Sequence, residues 1–138
     1  MTTKCRMVRA ILIDPFACTV SETELDAEDY TALYPLLSHP TMPVDCYTAI
    51  QPDVLEGRDC LFVDDEGLLK DPARFFTIDG FLQPLAGKGL ILGAERNGDT
   101  AAAITNVTVV AQAVKFLEVV GTTHMRFTIE PFVWEWLQ

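Results

Sequence analysis

DCLFVDDEGLLKDPARFFTIDGFLQPLAGKGLILG, residues 59–93, decides how this chain is read. Short apolar runs (CLFV at 60–63, FFTI at 75–78, LILGA at 90–94) are separated by turn residues, and glycines stand at the breaks at Gly67, Gly80, Gly87, Gly89 and Gly93. Runs of that length between turn residues are strands. Asp64-Asp65-Glu66-Gly67 reads as a hairpin loop in which Gly67 takes the left-handed position, with Leu68-Leu69 starting the return. Asp71-Pro72-Ala73-Arg74 reads as a turn or a single helical turn capped by Asp71, and Asp79-Gly80 as a turn. LILGA, apolar throughout, predicts a buried strand.

Upstream, RMVRAILI at 6–13 is a nearly continuous apolar run and predicts an interior strand covered on both faces. Asp14-Pro15-Phe16 favours a turn, and residues 17–25 return as a more polar antiparallel strand. Asp26 then reads as a helix N-cap, with Glu28 and Asp29 in the first turn and Tyr30, Leu33, Tyr34 and Leu37 spaced as one apolar face. Pro35 falls inside that pattern, so the helix either kinks there or stops near Leu33, with a short second turn beginning at Pro35. CYTAI at 46–50 predicts a short strand after the stiff loop at 39–43.

Downstream, Asn97-Gly98-Asp99 is a strong turn signal. The segment 105–120 is ambiguous. Thr105 or Asn106 is placed to cap a helix through Ala113 followed by a strand at 115–120, while Val107, Thr108, Val109 and Val110 favour a strand. Helix then strand is the preferred reading. Met125, Phe127 and Ile129 alternate with Arg126, Thr128 and Glu130, the pattern of a half-buried strand. With no repeat or linker, the chain reads as a single α+β domain, its sheet largely antiparallel or mixed, with one or two helices.

Composition narrows the function classes. Apolar residues make up 49% of the 138 residues and charged residues 22%, the balance of a folded globular protein. Twenty acids against ten bases give a net charge of −10, the wrong sign for unassisted binding to nucleic acid or an anionic membrane. Acidity suits solubility, a basic protein partner or imitation of nucleic acid. The N-terminus lacks the layout of a secretion signal, and the apolar stretch 107–120 is interrupted by Gln112, Lys115 and Glu118, so a cytoplasmic location is expected.

Known chemistries find little purchase. Cys5, Cys18, Cys46 and Cys60 contain no C-x-x-C pair, and the only histidines are His39 and His124, so buried reduced thiols are expected and neither a metal nor another cofactor. Ser21 and Ser38 lie in no nucleophile elbow, and only spatial proximity would pair Cys60 with His124. Asp64, Asp65 and Glu66 lack the alternating ligand spacing of a calcium loop. Asp71, Asp79, Glu95 and Asp99 sit at turns, where aspartate serves backbone geometry.

Three features remain as candidate sites. Gly87-Lys88-Gly89 departs from a phosphate loop in its glycine spacing and in the strand that follows, which leaves a tight turn or a backbone pocket for a small anion with Lys88 as its charge. Glu22, Glu24, Glu28 and Asp29, together with Asp64, Asp65 and Glu66, would form a negative face for a basic partner if the two stretches come together. The tail FVWEWL carries Trp134 and Trp136, which suit either a homodimer contact or a tail folded back over the sheet.

FVDDEGLLKDPARFF and GFLQPLAGKGLILGAERNGDT resemble a family of small uncharacterised bacterial proteins often encoded in phage and mobile-element contexts, over roughly residues 7–120. Its markers are Asp65-Glu66-Gly67, the Gln83-Pro84-Leu85-Ala86-Gly87 loop and the strand from Leu90 to Gly93. The resemblance implies a counter-defence or accessory role and carries no known site. The leading expectation is therefore a non-enzymatic acidic protein that binds or inhibits a basic nucleic-acid-handling partner. The alternative is a small-molecule or nucleotide binder using the glycine-rich turns, and an enzyme built on carboxylates is the third reading.

Overall fold

A computed structural model describes residues 6–67, 74–120, 124–129 and 132–133, with side chains over 6–67 and 74–117. The opening hairpin is as the sequence predicts. β1 (Met7–Asp14) and β2 (Thr19–Asp26) pair antiparallel over their full length. Asp14 fastens the turn between them, its Oδ1 accepting from the N–H groups of Phe16 (2.9 Å) and Ala17 (3.2 Å). The short helix α1 (Leu33–Leu37) leads to β3 (Tyr47–Ile50) and β4 (Cys60–Asp64). After β5 (Phe75–Ile78) and β6 (Leu85–Ala86) come β7 (Gly89–Ala94) and β8 (Thr100–Ala101). Helix α2 (Val107–Ala113) runs directly into β9 (Val114–Val120), followed by β10 (His124–Ile129) and β11 (Phe132–Val133).

These strands make two sheets. The larger has the order β11-β2-β1-β7-β4-β3, with β8 paired to β7, and only its β11–β2 pair is parallel. The smaller, antiparallel, has the order β10-β9-β5-β6. One face of the large sheet presents Ile11, Ile13, Leu61, Val63 and Ile91 to α2 and to Phe76, Ile78 and Phe116 of the small sheet. The opposite face presents Val8, Ala10, Leu90 and Leu92 to Leu33 and Leu37 of α1. Both faces of β1 and β7 are therefore covered, which explains their unbroken apolar sequence. Burial also settles α2. Val107, Val110, Ala111 and Ala113 face the core, and the Asn106 side chain caps the helix by accepting from Thr108 N–H at 2.7 Å. That packing outweighs the weak helix propensity of valine.

A buried polar pin holds the loop before α2. Asp59 is 2% exposed; its Oδ2 accepts from Thr105 N–H (2.8 Å), the Thr105 hydroxyl (2.6 Å) and Ile104 N–H (3.0 Å). Arg9 grips the same loop through the carbonyls of Ala103 (2.7 Å) and Thr105 (3.0 Å). Gly93 makes room for it, since a Cβ there would lie 2.4 Å from the Ala102 carbonyl oxygen.

Several local expectations are corrected. Asp26 ends β2 and caps no helix; its Oδ1 accepts from Arg6 N–H (3.0 Å) and Glu28 N–H (2.9 Å), an Asx turn that uses the same chemistry as an N-cap. The helix spans only five residues, so Pro35 sits in its first turn, where its missing N–H has no intrahelical acceptor to lose. Asp64-Asp65-Glu66-Gly67 does not join neighbouring strands, because β4 pairs with β3 and β7 while β5 lies in the other sheet. Gly67 has no left-handed backbone; it is small because a Cβ would meet the Ala86 carbonyl oxygen at 2.9 Å. The thiols are less buried than expected, with Cys46 exposed and Cys18 and Cys60 half-buried. Cys5, residues 68–73 and the tail tryptophans Trp134 and Trp136 lie outside the described residues.

Candidate functional site

At the β3 end of the large sheet the edges of the two sheets meet around a cleft of about 350 Å³. Thr48 and Ile50 of β3 and Val63 of β4 form one wall. Phe81, Pro84, Leu85 and Ala86 form the other, on the loop entering β6 and on β6 itself. That loop is fixed at several points. Asp79 N–H donates to the Ala113 carbonyl at 3.0 Å, and Phe81 N–H donates to Ile78 at 3.1 Å. Gly80 (φ +88°) crosses so close to Asp53 that a Cβ would lie 2.7 Å from its amide nitrogen. Leu82, beside the cleft walls, projects fully into solvent. The volume is at the lower end of the ~300–1,000 Å³ typical of ligand sites.

The lip of the cleft is acidic. Asp64, Asp65 and Glu66 border it, with Gln83 as a neutral polar group, and among the described residues no lysine, arginine or histidine lines it. Asp64 is buried at the end of β4, and its Oδ1 accepts from Glu66 N–H at 2.9 Å, which shapes the turn. Asp65 and Glu66 are exposed and make no ion pair among the described residues.

The other candidate acids are placed and paired differently. Glu22 and Glu24 lie on β2, three strands away from β4. Glu22 bonds Arg9 Nε at 3.1 Å, and Glu28 bonds Arg6 Nε at 3.0 Å. That hydrogen bond to Glu28 raises the pKa of the Arg6 guanidinium above its ordinary value. Asp29 turns inward on its own segment, accepting from Thr31 N–H and hydroxyl at 3.0 and 2.6 Å. Register fixes the separation. Asp26 is level with Met7, while Val63 is level with Gly89 and Ile13. Glu22 is level with Ile11 and Glu24 with Arg9, so these two stand about 7 and 14 Å along the strands from the Ile13 level and about 14 Å across the sheet from β4. The span across the sheet alone exceeds the screening length of about 8 Å at physiological salt, so the groups act as separate surfaces.

Gly87-Lys88-Gly89 is a crossing point in the fold. Gly87 (φ +81°) donates its N–H to the Arg74 carbonyl at 2.6 Å. Gly89 pairs in β7 and packs under Leu61 and Phe76, where a Cβ would lie 2.8 and 2.9 Å away. The Lys88 ammonium sits 3.9 Å from an Asp14 carboxylate oxygen with only 15% of its side chain exposed, and is not the solvated lysine of a surface turn. An anion there would compete with that carboxylate and would find the Gly87 donor occupied.

Catalytic and metal groupings do not come together in what is described. Ser38 Oγ accepts from Val44 N–H at 3.0 Å, and Cys60 Sγ donates to the Arg58 carbonyl at 3.7 Å. The His124 side chain lies outside the described side chains. Among the described residues no cluster of histidine, cysteine and carboxylate is placed to hold a metal, and no helix is long and apolar enough to cross a membrane. Sequence reasoning found the acidic lip but missed the cleft walls. Phe81 and Leu82, two large apolar residues in a turn-rich stretch, were the available signal. No protein-family model matches the chain, and it matches no curated protein and no solved structure.

Proposed function

We propose that this chain is a non-enzymatic interaction protein that engages a basic protein partner through the cleft at the β3 end of its large sheet. The observation that carries the reading is the unbalanced lip: among the described residues, Asp65 and Glu66 stand exposed without an ion pair beside a largely apolar cleft that no basic residue lines. Glu22 and Glu28 are less available for this role, because Arg9 and Arg6 already bond them. A basic nucleic-acid-handling protein, the partner class drawn from the sequence, has the required sign. The charge acts chiefly on association rate and register, and the apolar walls supply the buried contact.

The test compares wild-type protein with Asp65→Asn/Glu66→Gln and with Glu22→Gln/Glu24→Gln. Partners are captured from the native host at low and high salt, and binding kinetics are then measured on the purified partner. The lip variant should slow association, and added salt should slow wild type in the same way. The β2 variant should leave association unchanged. Unchanged association rates for the lip variant sink the proposal.

The cleft volume favours a second reading, a small-molecule or nucleotide binder. It requires thermal stabilisation by a member of a nucleotide and metabolite panel. Its ligand would be neutral or cationic at the lip, since phosphates would face Asp65 and Glu66.

A further inference from the structure

β3 is the outermost strand at its end of the large sheet, and its backbone polarity can be read from one hydrogen bond. Asp65 N–H donates to the Cys46 carbonyl at 3.0 Å, on the same diagonal as the pairs Tyr47↔Asp64 and Thr48↔Val63. In an antiparallel pair, hydrogen-bonded positions alternate. Cys46, Thr48 and Ile50 therefore turn their backbone groups toward β4, and Tyr47 and Ala49 turn theirs outward. Among the described residues no strand or loop takes those outward groups. A row of unpaired edge groups is a template for another strand.

The cleft lies under the same edge. Thr48 and Ile50 point into it, while Tyr47 points to the opposite face, where its ring meets Tyr34 (5.3 Å) and Phe62 (5.7 Å). A strand laid about 4.8 Å beyond β3 would send every second side chain over the cleft, between Ile50 and the Phe81–Leu85 wall. Its other side chains would face out beside Tyr47.

Charge selects the occupant. A second copy pairing edge to edge would bring together two chains that each carry a net charge of −10, and like charges repel. Nucleic acid has the wrong sign as well. We infer that the β3 edge and the cleft beneath it receive one extended segment of a partner protein, basic and alternating with apolar residues, which adds to the large sheet as a further strand. The inference rests on the basic-partner reading above and specifies its mode. Backbone bonds to Tyr47 and Ala49 give the segment its direction, apolar side chains enter the cleft, and lysine or arginine meets Asp65 and Glu66.

The experiment uses a fluorescent alternating lysine–valine heptapeptide, the same peptide N-methylated at every second residue, and a lysine–proline peptide of equal charge that cannot pair as a strand. Binding is read by anisotropy against wild type, Ala49→Pro and Asp65→Asn/Glu66→Gln. Proline is tolerated on an edge strand where its N–H would face solvent, so Ala49→Pro should fold while losing an outward donor. Wild type should bind the lysine–valine peptide, and either N-methylation or Ala49→Pro should weaken binding about tenfold. The amide of Ala49 should exchange more slowly with solvent in the complex. The N-methylated peptide tests the same bonds without altering the protein, should Ala49→Pro fail to fold. If all three peptides bind wild type alike and only the lip variant weakens them, the added strand is refuted and the basic-partner reading stands. If none binds, both fall.

Discussion

Asp59→Asn tests the polar pin before α2. The substitution keeps size and shape and removes the charge. Two short bonds depend on that charge, from the Thr105 hydroxyl at 2.6 Å and Thr105 N–H at 2.8 Å. A hydrogen bond to a charged group contributes about 1.5–3 kcal/mol and a neutral one about 0.5–1.5, so losing charge assistance at both should cost about 2 kcal/mol. The amide NH₂ placed near Ile104 N–H adds a donor facing a donor. Asp59→Ala goes further and strands the buried Thr105 N–H and hydroxyl, raising the cost to about 4 kcal/mol. For a chain of this size the Asn variant should melt about 6–8 °C lower. Urea unfolding measures the free energies, and a cycle with Thr105→Val isolates the shared bond. The cycle should show a coupling of about 1 kcal/mol, because both single changes break the same contact. A cost for Asp59→Asn below about 0.5 kcal/mol, or additivity within that margin, would refute the pin. Asp59 lies at the far end of β4 from the cleft, so binding at the lip should survive whichever variant stays folded.

Gly89→Ala should destabilise by about 1–3 kcal/mol in urea unfolding, since its Cβ would overpack Leu61 and Phe76, both fully buried. Pro35→Ala should change the melting temperature little, because the proline stands in the first turn of α1 and removes no helical bond. Among Cys18, Cys46 and Cys60, a thiol reagent followed by mass spectrometry should label Cys46 first, the exposed one. Lys88→Ala should lower stability measurably in thermal unfolding, because it leaves Asp14 without its nearby ammonium in a largely buried setting.

What could be read from the sequence was local. Ile11 and Ile13 alternate with Leu12 in an apolar run that only a doubly covered strand explains, and LILGA says the same of β7. The Asn106 cap and the turn at Gly98 are visible because single residues do that work. Partners were not visible: nothing in LILGA states that β7 lies between β1 and β4, since apolar faces accept any apolar neighbour. Asp26 was misread because an aspartate closing a strand and an aspartate opening a helix accept the same N–H groups two residues on. The acidic lip was legible from Asp64-Asp65-Glu66, but the cleft arises only when Thr48 and Ile50 meet Phe81 and Leu85, more than thirty residues later.

The distribution of charge separates the acids that build this fold from those free to act. Asp14 faces Lys88, Glu22 bonds Arg9, Glu28 bonds Arg6, and Asp59 is spent on backbone and hydroxyl donors inside the protein. Each of these lies on or beside β1, β2 or the start of β4, where β-strand neighbours bring a base or a donor within reach. Among the described residues no such neighbour stands at the β3 end, and Asp65 and Glu66 remain there without a countercharge. Like charges left together there repel, so the fold gains no stability from them. Replacing Asp65 and Glu66 by Asn and Gln should therefore hold or raise the unfolding free energy, while replacing Glu22 by Gln should lower it slightly through the loss of a half-exposed pair, by no more than about 1 kcal/mol. Opposite signs in urea unfolding would distinguish a lip kept for binding from acids kept for structure. A loss of stability in the lip variant equal to that of Glu22→Gln would mean that Asp65 and Glu66 serve the fold as well.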